Sequence, residues 1–387
     1  MDLDFTEEQD AFRSNLRDFL TTHHSPAQVR VLERDELGYS PEFWERFSAL
    51  GAPGLLIPEE YGGAGLPLLD SVVLYEELGR AIVPSPHFVS SVLSARLIET
   101  AGTEAQKAQW LPELAAGEAI ITPAWLEPSR GYGPEGVQLR ARRDGSGWVL
   151  SGGKYLVHYA GAATRLIVLA RTQEEGSGAE IRFLLVDPQV PGVTLTRHAT
   201  MASDNQFHIA FDDVHVAADD VLTEAAGWDA WHRVMLDGIT LLAAQAVGGA
   251  RRALELATEY AGTRHQFGKP LGAFQAIAHN LADRATEVDG AEVLVWEAAW
   301  ARDTGRSTQQ LAPMAKLFGC QVFRKVTATA QQIFGGNGFT VDFDIQLYFR
   351  RAKQLELSFW DARYLESLIA AVALTPDVGA RAEGVSA

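Results

Sequence analysis

The stretch RLIVLARTQEEGSGAEIRFLLVDPQVPGVTLT, residues 165–196, decides the fold class of this chain. Its apolar segments are short and rich in β-branched residues, and turn signals separate them, namely EEGSG at 174–178 and DPQVPG at 187–192. No segment between them is long enough for a crossover helix, which a parallel pair of strands would need. The stretch therefore predicts an antiparallel β-sandwich or barrel.

The sequence on both sides of this β-rich region has a helical pattern. Apolar residues recur at helical spacing in EEQDAFRSNLRDFL (7–20) and DSVVLYEELGRAI (70–82), and the same spacing returns in the last part of the chain. We therefore expect three domains. They are an N-terminal helical domain over 1–118, a middle β-domain over 119–222 and a C-terminal helical bundle over 223–387.

Composition and charge exclude several classes of function. The 387 residues carry a formal net charge of −17 and a pI near 5.0, which argues against nucleic acid or an anionic membrane as the main partner. Cys320 is the only cysteine, which excludes an intrachain disulfide and a thiolate metal cluster, and we expect no metal site. The longest nearly apolar run, 239–250, is too short to span a bilayer, and the acidic start lacks the features of a secretion signal. We expect a soluble cytoplasmic protein.

Six segments resemble those of the acyl-CoA dehydrogenase family and occur in the family's order. They are IPEEYGGAGL (57–66), EELGR (76–80), GTEAQKAQWLPELAAGE (102–118), FDDVHV (211–216), TRHQFGKPLGAFQ (263–275) and QQIFGGNGFTVDFDIQLYFRRAK (331–353). A single short motif recurs by chance, but six in register do not. The resemblance extends over nearly the whole chain.

This resemblance implies both a fold and an activity. The fold is mainly α, with an N-terminal helical domain, a middle β-domain and a C-terminal four-helix bundle. Family members bind FAD between subunits, assemble as dimers or tetramers and pass electrons to an electron-transfer flavoprotein. In the typical reaction, an acyl-CoA thioester loses its α-hydrogen as a proton and its β-hydrogen as a hydride to the flavin. The expected function is therefore α,β-desaturation of an acyl-CoA by an oligomeric flavoprotein.

The resemblance also assigns contacts with FAD. Six residues match the family's contacts to the pyrophosphate and adenosine half of the cofactor, and these are Arg264, Phe267, Gln275, Gln332, Gly335 and Gly336. The residue types suit this role, because a pyrophosphate needs a fixed cation and glycine lets backbone donors approach closely. Taken singly, they are also explained as a helix cap, a core aromatic and a turn. In the family, these segments serve a flavin that is held largely by a neighbouring subunit.

The residues matched to the flavin ring depart from the family's pattern. Where the family has Thr-Glu-Pro followed by Gly-Ser-Asp, this chain has Leu126 before Glu127 and Pro128, and the second part is not recognisable. His158 stands where the family has the threonine that reaches flavin N5. His158 is therefore a candidate donor to the ring, and a packed histidine at the end of a strand is the alternative.

The position of the catalytic base departs from the pattern as well. Counted from Gln332 through the ungapped match, the family's loop glutamate falls on Phe359, and the helix glutamate of a minority of members falls on Gly238. Abstraction of a thioester α-proton needs a carboxylate within hydrogen-bond reach. The nearest acids in sequence are Asp361 and Asp237, and Asp361 is our candidate base. The alternative role for Asp361 is the N-cap of the helix that follows it.

Three functions remain open from the sequence. The first is an FAD-dependent acyl-CoA dehydrogenase whose base has moved to another position or is Asp361. The second is a subunit without a base that completes the FAD site of a related catalytic subunit, in a heterotetramer rather than a homotetramer. The third is a family scaffold used for another flavin reaction or for an elimination. The departures at Leu126, His158 and Phe359 favour the second, whereas Arg264 and Gln275 are needed by the first two.

Overall fold

The structure, a computed structural model, describes residues 5–172, 180–222 and 227–374. Helices form both ends of the chain and strands form its middle, which confirms the predicted fold class. The predicted turn EEGSG (174–178) lies outside the described residues.

In the described part of the N-terminal region, six α-helices precede the first strand. They are α1 (Glu7–His23), α2 (Pro26–Leu32), α3 (Pro41–Ala49), α4 (Leu68–Arg80), α5 (Ala95–Ala101) and α6 (Glu104–Ala115). A π-helical turn, Phe88–Ser94, leads directly into α5. Two helices begin with capping boxes, formed by Thr6 with Gln9 in α1 and by Thr103 with Gln106 in α6. The local sequence therefore sets where these helices begin.

The middle of the chain forms one large sheet. Its strands are β1 (Ile121–Ala124), β2 (Arg140–Asp144), β3 (Gly147–His158), β4 (Arg165–Thr172), β5 (Glu180–Val186), β6 (Val193–His198), β7 (Gln206–Val216) and β8 (Val221–Leu222). Their order in the sheet is β6-β7-β3-β2-β4-β5-β8, with β1 beside β4. Both β1 and β2 run parallel to β4, and the other neighbours pair antiparallel as predicted.

Strand β4 is buried on both faces of the sheet. Leu166, Val168 and Ala170 pack in a core inside the β-domain, whereas Ile167 and Leu169 join the core of the helices. Successive side chains of a strand point to opposite faces. A strand buried on both faces has to be apolar along its length, as β4 is. Ile167 and Leu169 hold one face of the sheet against the helices.

The C-terminal region is a helical bundle. Its elements are α7 (Trp228–Thr263), β9 (His265–Gln266), β10 (Lys269–Pro270), α8 (Gln275–Asp303), α9 (Leu311–Phe334), α10 (Ile345–Leu357) and α11 (Ala362–Ala373). The long helix α7 packs against α8, α9 and α10 within the bundle and against α4 of the N-terminal region. Among the described helices, none combines the length and apolar character needed to cross a bilayer.

The EELGR segment (76–80) fixes the N-terminal region on the bundle. A Cβ atom at Gly79 would lie 2.0 Å from the carbonyl oxygen of Gln245, and one at Gly248 would lie 1.9 Å from that of Glu76. No side chain fits at such distances, so α4 and α7 cross with their backbones in contact. This crossing sets the distance between two helices that both line the candidate site.

Candidate functional site

A cavity of about 210 Å³ lies where the β-domain meets the end of α10. The loop after β1, the end of β3 and the segment before β7 form one wall, and the last turn of α10 with the loop after it forms the other. We call this the outer cavity. The wall residues that matter for its chemistry are Leu126, Tyr132, His158, Asp204, Gln206 and Phe359.

A second cavity, of about 50 Å³, lies deeper in the molecule, between α4, the π-helical turn and α7. We call this the inner cavity, and its wall includes the apolar side chains of Leu78, Val83 and Leu242. Four residues line both cavities and thus form the partition between them. They are His158, Gln354, Ser358 and Phe359.

A buried ion pair anchors the loop at the outer cavity. An Oε1 atom of Glu127 lies 2.7 Å from Nζ of Lys154 and accepts the backbone N–H groups of Gln138 and Leu139 at 2.9 Å each. Burial lowers the pKa of Lys154 to about 8, although Glu127 opposes the shift. Glu127, which matches the glutamate of the family's Thr-Glu-Pro segment, therefore fixes the backbone beside Leu126. It does not present its carboxylate to the outer cavity.

His158 ends β3 and lies on the partition. Its Nε2 atom is 3.1 Å from the amide nitrogen of Gln206 and 3.5 Å from a carboxylate oxygen of Asp204. Its ring stacks on Phe359 with the two centroids 4.8 Å apart. Burial acts to raise the pKa of Asp204, but hydrogen bonds with His158 and Thr200 hold that pKa well below its usual range. His158 is thus fixed at its Nε2 edge and on one ring face.

The sequence analysis missed Asp204 and Gln206 as part of this site. Their only signal was the polar run DNQ (204–206) directly before the apolar strand β7. Because β3 pairs with β7, His158 lies opposite Gln206, and this brings the polar run to the cavity wall. This strand pairing joins residues far apart in the sequence, so the local sequence pattern does not predict it.

The loop after α10 has an uncommon backbone conformation. Phe359 and Trp360 both have positive φ, +51° and +75°, in a left-handed region that bulky residues rarely occupy. Lys316 on α9 is fully buried, and its Nζ donates to the carbonyl oxygens of Ser358 at 2.8 Å and Trp360 at 2.7 Å. Burial lowers the pKa of Lys316. The ammonium group therefore clamps the backbone on both sides of Phe359.

Aromatic contacts hold the two side chains of this loop. Phe359 meets Phe88 edge to face, with centroids 4.8 Å apart, in addition to its stack on His158. Trp360 is fully buried and packs against His232 at 5.2 Å and Tyr364 at 5.3 Å. The position matched to the family's loop glutamate thus carries an aromatic ring enclosed by other rings.

Asp361, our candidate base, is the N-cap of α11. Its Oδ1 atom accepts the backbone N–H of Tyr364 at 3.0 Å, which is the cap geometry named as the alternative. In the described part of the chain, the walls of the outer and inner cavities do not include Asp361. Its catalytic role stays a prediction.

The helix position of the base also faces Phe88. A Cβ atom at Gly238 would lie 3.3 Å from the ring of Phe88, so the position points to the aromatic side chain that Phe359 touches. Asp237, the neighbouring acid, is bound by Arg96 at 3.3 Å and by Arg302 at 2.8 Å. The carboxylate of Asp237 is thus engaged in ion pairs with two guanidinium groups.

The residues matched to the pyrophosphate and adenosine contacts form a different surface, at the end of α7 and α9. Tyr260 joins the two segments, because its ring stacks on Phe334 at 4.2 Å and its hydroxyl accepts from the amide of Asn337 at 3.2 Å. Arg264 follows the last residue of α7, and Phe267 is 93 % exposed. The fold therefore brings the segments 263–275 and 331–338 together but leaves them uncovered.

The backbone at this bundle end is open to a ligand. Gly335 has φ +60°, and a Cβ atom at Gly335 or Gly336 would meet nothing within 4 Å. Gln332 in the last turn of α9 and Gln275 at the start of α8 are both exposed. A cation, an aromatic ring, two amides and a glycine backbone that no side chain covers lie on one surface, and they fit the pyrophosphate and adenosine half of a dinucleotide.

Comparison with known proteins decides the family. Models of the acyl-CoA dehydrogenase N-terminal, middle and C-terminal domains match residues 6–118, 123–214 and 225–359. The probable acyl-CoA dehydrogenase YngJ of Bacillus subtilis is 33% identical over 365 residues, which cover 92% of this chain and 95% of that protein. The chain belongs to the acyl-CoA dehydrogenase family.

Other members of the acyl-CoA dehydrogenase family resemble it to a similar degree. The (2S)-methylsuccinyl-CoA dehydrogenase of Cereibacter sphaeroides is 34% identical over 88% of this chain, and the chain spans 64% of that protein's length. The ChsE4–ChsE5 complex from Mycobacterium tuberculosis contains a chain with a TM-score of 0.88 and 27% identity, covering 97% of this chain and 100% of that one. A glutaryl-CoA dehydrogenase from Mycobacterium smegmatis, solved with FADH2, has a TM-score of 0.89 and 25% identity, covering 96% of each chain.

Membership of the acyl-CoA dehydrogenase family confirms the resemblance inferred from the sequence and places the chain among flavoprotein oxidoreductases. The assignments of single residues are a separate matter. The six residues at the bundle end, His158 as a donor to the flavin ring and Asp361 as the base all stay predictions. The structure places these residues in two separate regions. His158 lies on the partition between the cavities, and the six residues matched to the FAD contacts lie at the bundle end.

Proposed function

We propose that this chain takes part in the FAD-dependent α,β-desaturation of an acyl-CoA thioester, as the subunit that completes an FAD site and without a catalytic base of its own. A related subunit supplies the glutamate. The observation that carries the proposal is Phe359. The position of the loop base holds an enclosed aromatic ring. At the helix position, Gly238, a Cβ atom would already lie 2.7 Å from the side chain of Leu93 and 3.3 Å from the ring of Phe88.

The proposed cofactor is FAD, which accepts a hydride from the substrate when bound. Arg264 would pair with the pyrophosphate, Phe267 would lie against the adenine and Gln275 would hydrogen-bond the adenosine side. Gln332 would make another of the dinucleotide contacts. The glycine turn at 335–336, where a Cβ atom would meet nothing within 4 Å, would let the cofactor approach the backbone closely. Support comes from the family and from the related glutaryl-CoA dehydrogenase solved with FADH2.

The proposed assembly is a mixed tetramer that packs through the C-terminal bundle. The uncovered aromatic side chains at the bundle end support it, since Phe267 is 93 % and Phe339 82 % exposed. The similarity to a chain of the ChsE4–ChsE5 complex, which pairs two differently named chains, supports it as well. An electron-transfer flavoprotein is the proposed electron acceptor.

A homomeric dehydrogenase with Asp361 as its base is the second candidate. One observation favours it: Tyr132 lines the outer cavity, and its ring centroid lies 5.7 Å from that of Tyr364. The backbone N–H of Tyr364 donates to Oδ1 of Asp361, so a single residue separates Asp361 from the cavity wall.

The test is turnover by the pure chain. The full chain is purified alone, its flavin spectrum is recorded, and desaturation of a panel of acyl-CoAs is measured with an artificial electron acceptor. We expect bound or readily reconstituted FAD and a rate about 10²–10⁴-fold below that of a complex with a related, glutamate-bearing chain. Brisk desaturation by the homo-oligomer would contradict the subunit role, and loss of that activity in Asp361→Asn would establish the second candidate.

A further inference from the structure

Four residues form the partition between the two cavities, and Phe359 is the apolar one among them. Phe359 is the residue whose ring spans the boundary, in contact with His158 from the β-domain on one side and Phe88 from the π-helical turn on the other, each at 4.8 Å between centroids. Beyond this ring, the inner cavity continues between α4 and α7 along Leu78 and Leu242. Its lining is mixed, because polar side chains such as Gln245 and Arg351 lie beside these leucines. The apolar part of the wall is of the kind that contacts a hydrocarbon chain.

The ring is fixed by its backbone. A left-handed conformation at two successive bulky residues costs free energy and persists only where the surroundings impose it. Here the surroundings are the Lys316 ammonium group, which binds the carbonyls of Ser358 and Trp360, and the burial of the Trp360 indole. Phe359 therefore lacks the freedom to swing aside as an exposed loop residue would.

The remaining volume is too small for an acyl chain. The inner cavity measures about 50 Å³. A cavity needs about 10–15 Å³ of such volume to hold one water molecule, and pockets for organic ligands commonly measure about 300–1,000 Å³. With Phe359 in place, the inner cavity has room for a few waters and not for the tail of a thioester.

We propose that Phe359, clamped by Lys316, is a plug that closes the inner cavity of this chain to acyl groups. The inference rests on the proposed function, which supplies the ligand class, and it deepens that function, because the acyl chain is then bound by the related subunit. The role of a plug is distinct from the absence of a base. A carboxylate at position 359 would remove the proton of a bound substrate, whereas an aromatic ring there keeps the acyl group out. Phe359 is thus a specificity-determining residue and Lys316 a positioning residue.

The experiment measures binding rather than turnover. Isothermal titration of the purified full chain with butyryl-CoA and octanoyl-CoA separates the contribution of the CoA portion from that of the hydrocarbon tail. We expect the wild-type chain to bind the two thioesters equally. In Phe359→Ala, octanoyl-CoA should bind tighter than butyryl-CoA by on the order of 10²-fold, because each buried methylene is worth roughly a fourfold gain.

Three further variants complete the design. Phe359→Gly opens the same space and relieves the left-handed strain, so it serves if the alanine variant does not fold. Phe323→Ala removes another fully buried ring, from α9, and should leave the two affinities equal. Lys316→Met removes the clamp and should give a smaller preference for octanoyl-CoA, and an unchanged ratio there would overturn the role of Lys316.

Two outcomes would overturn the plug. They are a tail-length preference in the wild-type chain, and no such preference in either folded Phe359 variant. Neither outcome depends on the proposed function, which is judged separately by turnover of the pure wild-type chain. A wild-type chain that binds octanoyl-CoA tightly but does not desaturate it would refute the plug and leave the subunit role standing.

Discussion

Replacement of Arg264 with alanine is the sharpest test of the FAD assignment, because the structure separates its binding role from folding. The residue caps the end of α7 through its backbone N–H, which donates to the carbonyl of Tyr260 at 2.9 Å, and alanine keeps this bond. Its side chain is exposed. Among the described residues, its guanidinium group has no hydrogen bond or ion pair within the chain. We therefore expect Arg264→Ala to change the free energy of unfolding by no more than about 0.5 kcal/mol.

The effect on FAD should be far larger. A hydrogen bond to a charged group contributes about 1.5–3 kcal/mol, and each 1.4 kcal/mol changes a dissociation constant about tenfold. The variant should therefore bind FAD about 10- to 150-fold more weakly. At a fixed, limiting FAD concentration, this difference turns a largely occupied site into a largely empty one.

The assay is reconstitution of the assembled protein after removal of flavin, followed by flavin absorbance and fluorescence. Lys269→Ala is the matched control, because it removes one positive charge from the same bundle end and mainly loses a contact with the ring of Phe274, 4.2 Å away. We expect this control to retain FAD affinity within about fivefold, since a cation–π contact of this kind contributes about 0.5–1 kcal/mol. Equal FAD affinity in the wild type and Arg264→Ala would refute the assignment of Arg264.

Three further predictions concern the base, the pH response and the helix crossing. Asp361→Asn keeps a good N-cap and should leave both stability and the turnover of the assembled enzyme unchanged, as checked by thermal unfolding and steady-state rates. Burial lowers the pKa of His87 from 6.5 to about 4, which favours the neutral ring in the folded protein. The stability that the neutral ring provides is therefore complete above pH 6.5 and is lost as the pH falls through about 4. Urea unfolding at several pH values should show a loss of up to about 3 kcal/mol that is much smaller in His87→Gln. Gly79→Ala should lower the free energy of unfolding by about 3 kcal/mol or more, because its Cβ atom would lie 2.0 Å from a backbone oxygen. Gly262→Ala on α7 is the control and should be neutral or stabilising, because a Cβ atom there meets nothing within 4 Å.

Much of this protein is determined by its sequence at short range. The apolar runs of β4 and β5, interrupted by turn residues, specify strands, and the threonine–glutamine pairs at 6–9 and 103–106 specify where two helices begin. These signals act within a few residues along the chain, so no knowledge of the packing is needed to read them. The same holds for the absence of an acid at positions 238 and 359, which follows from counting along matched segments.

The site itself was decided by tertiary structure. The pairing of β3 with β7 brings Asp204 and Gln206 to His158, and Lys316 reaches the loop carbonyls of residues 358 and 360 from another helix. These contacts join residues more than forty positions apart, and their energies depend on burial, which a linear pattern does not contain. A buried lysine on an apolar helix face is visible in the sequence as an exception, but its partners are not. That Phe359 divides one space into two is likewise a property of the packed side chains around it, because the volume of a cavity is set by every residue on its wall.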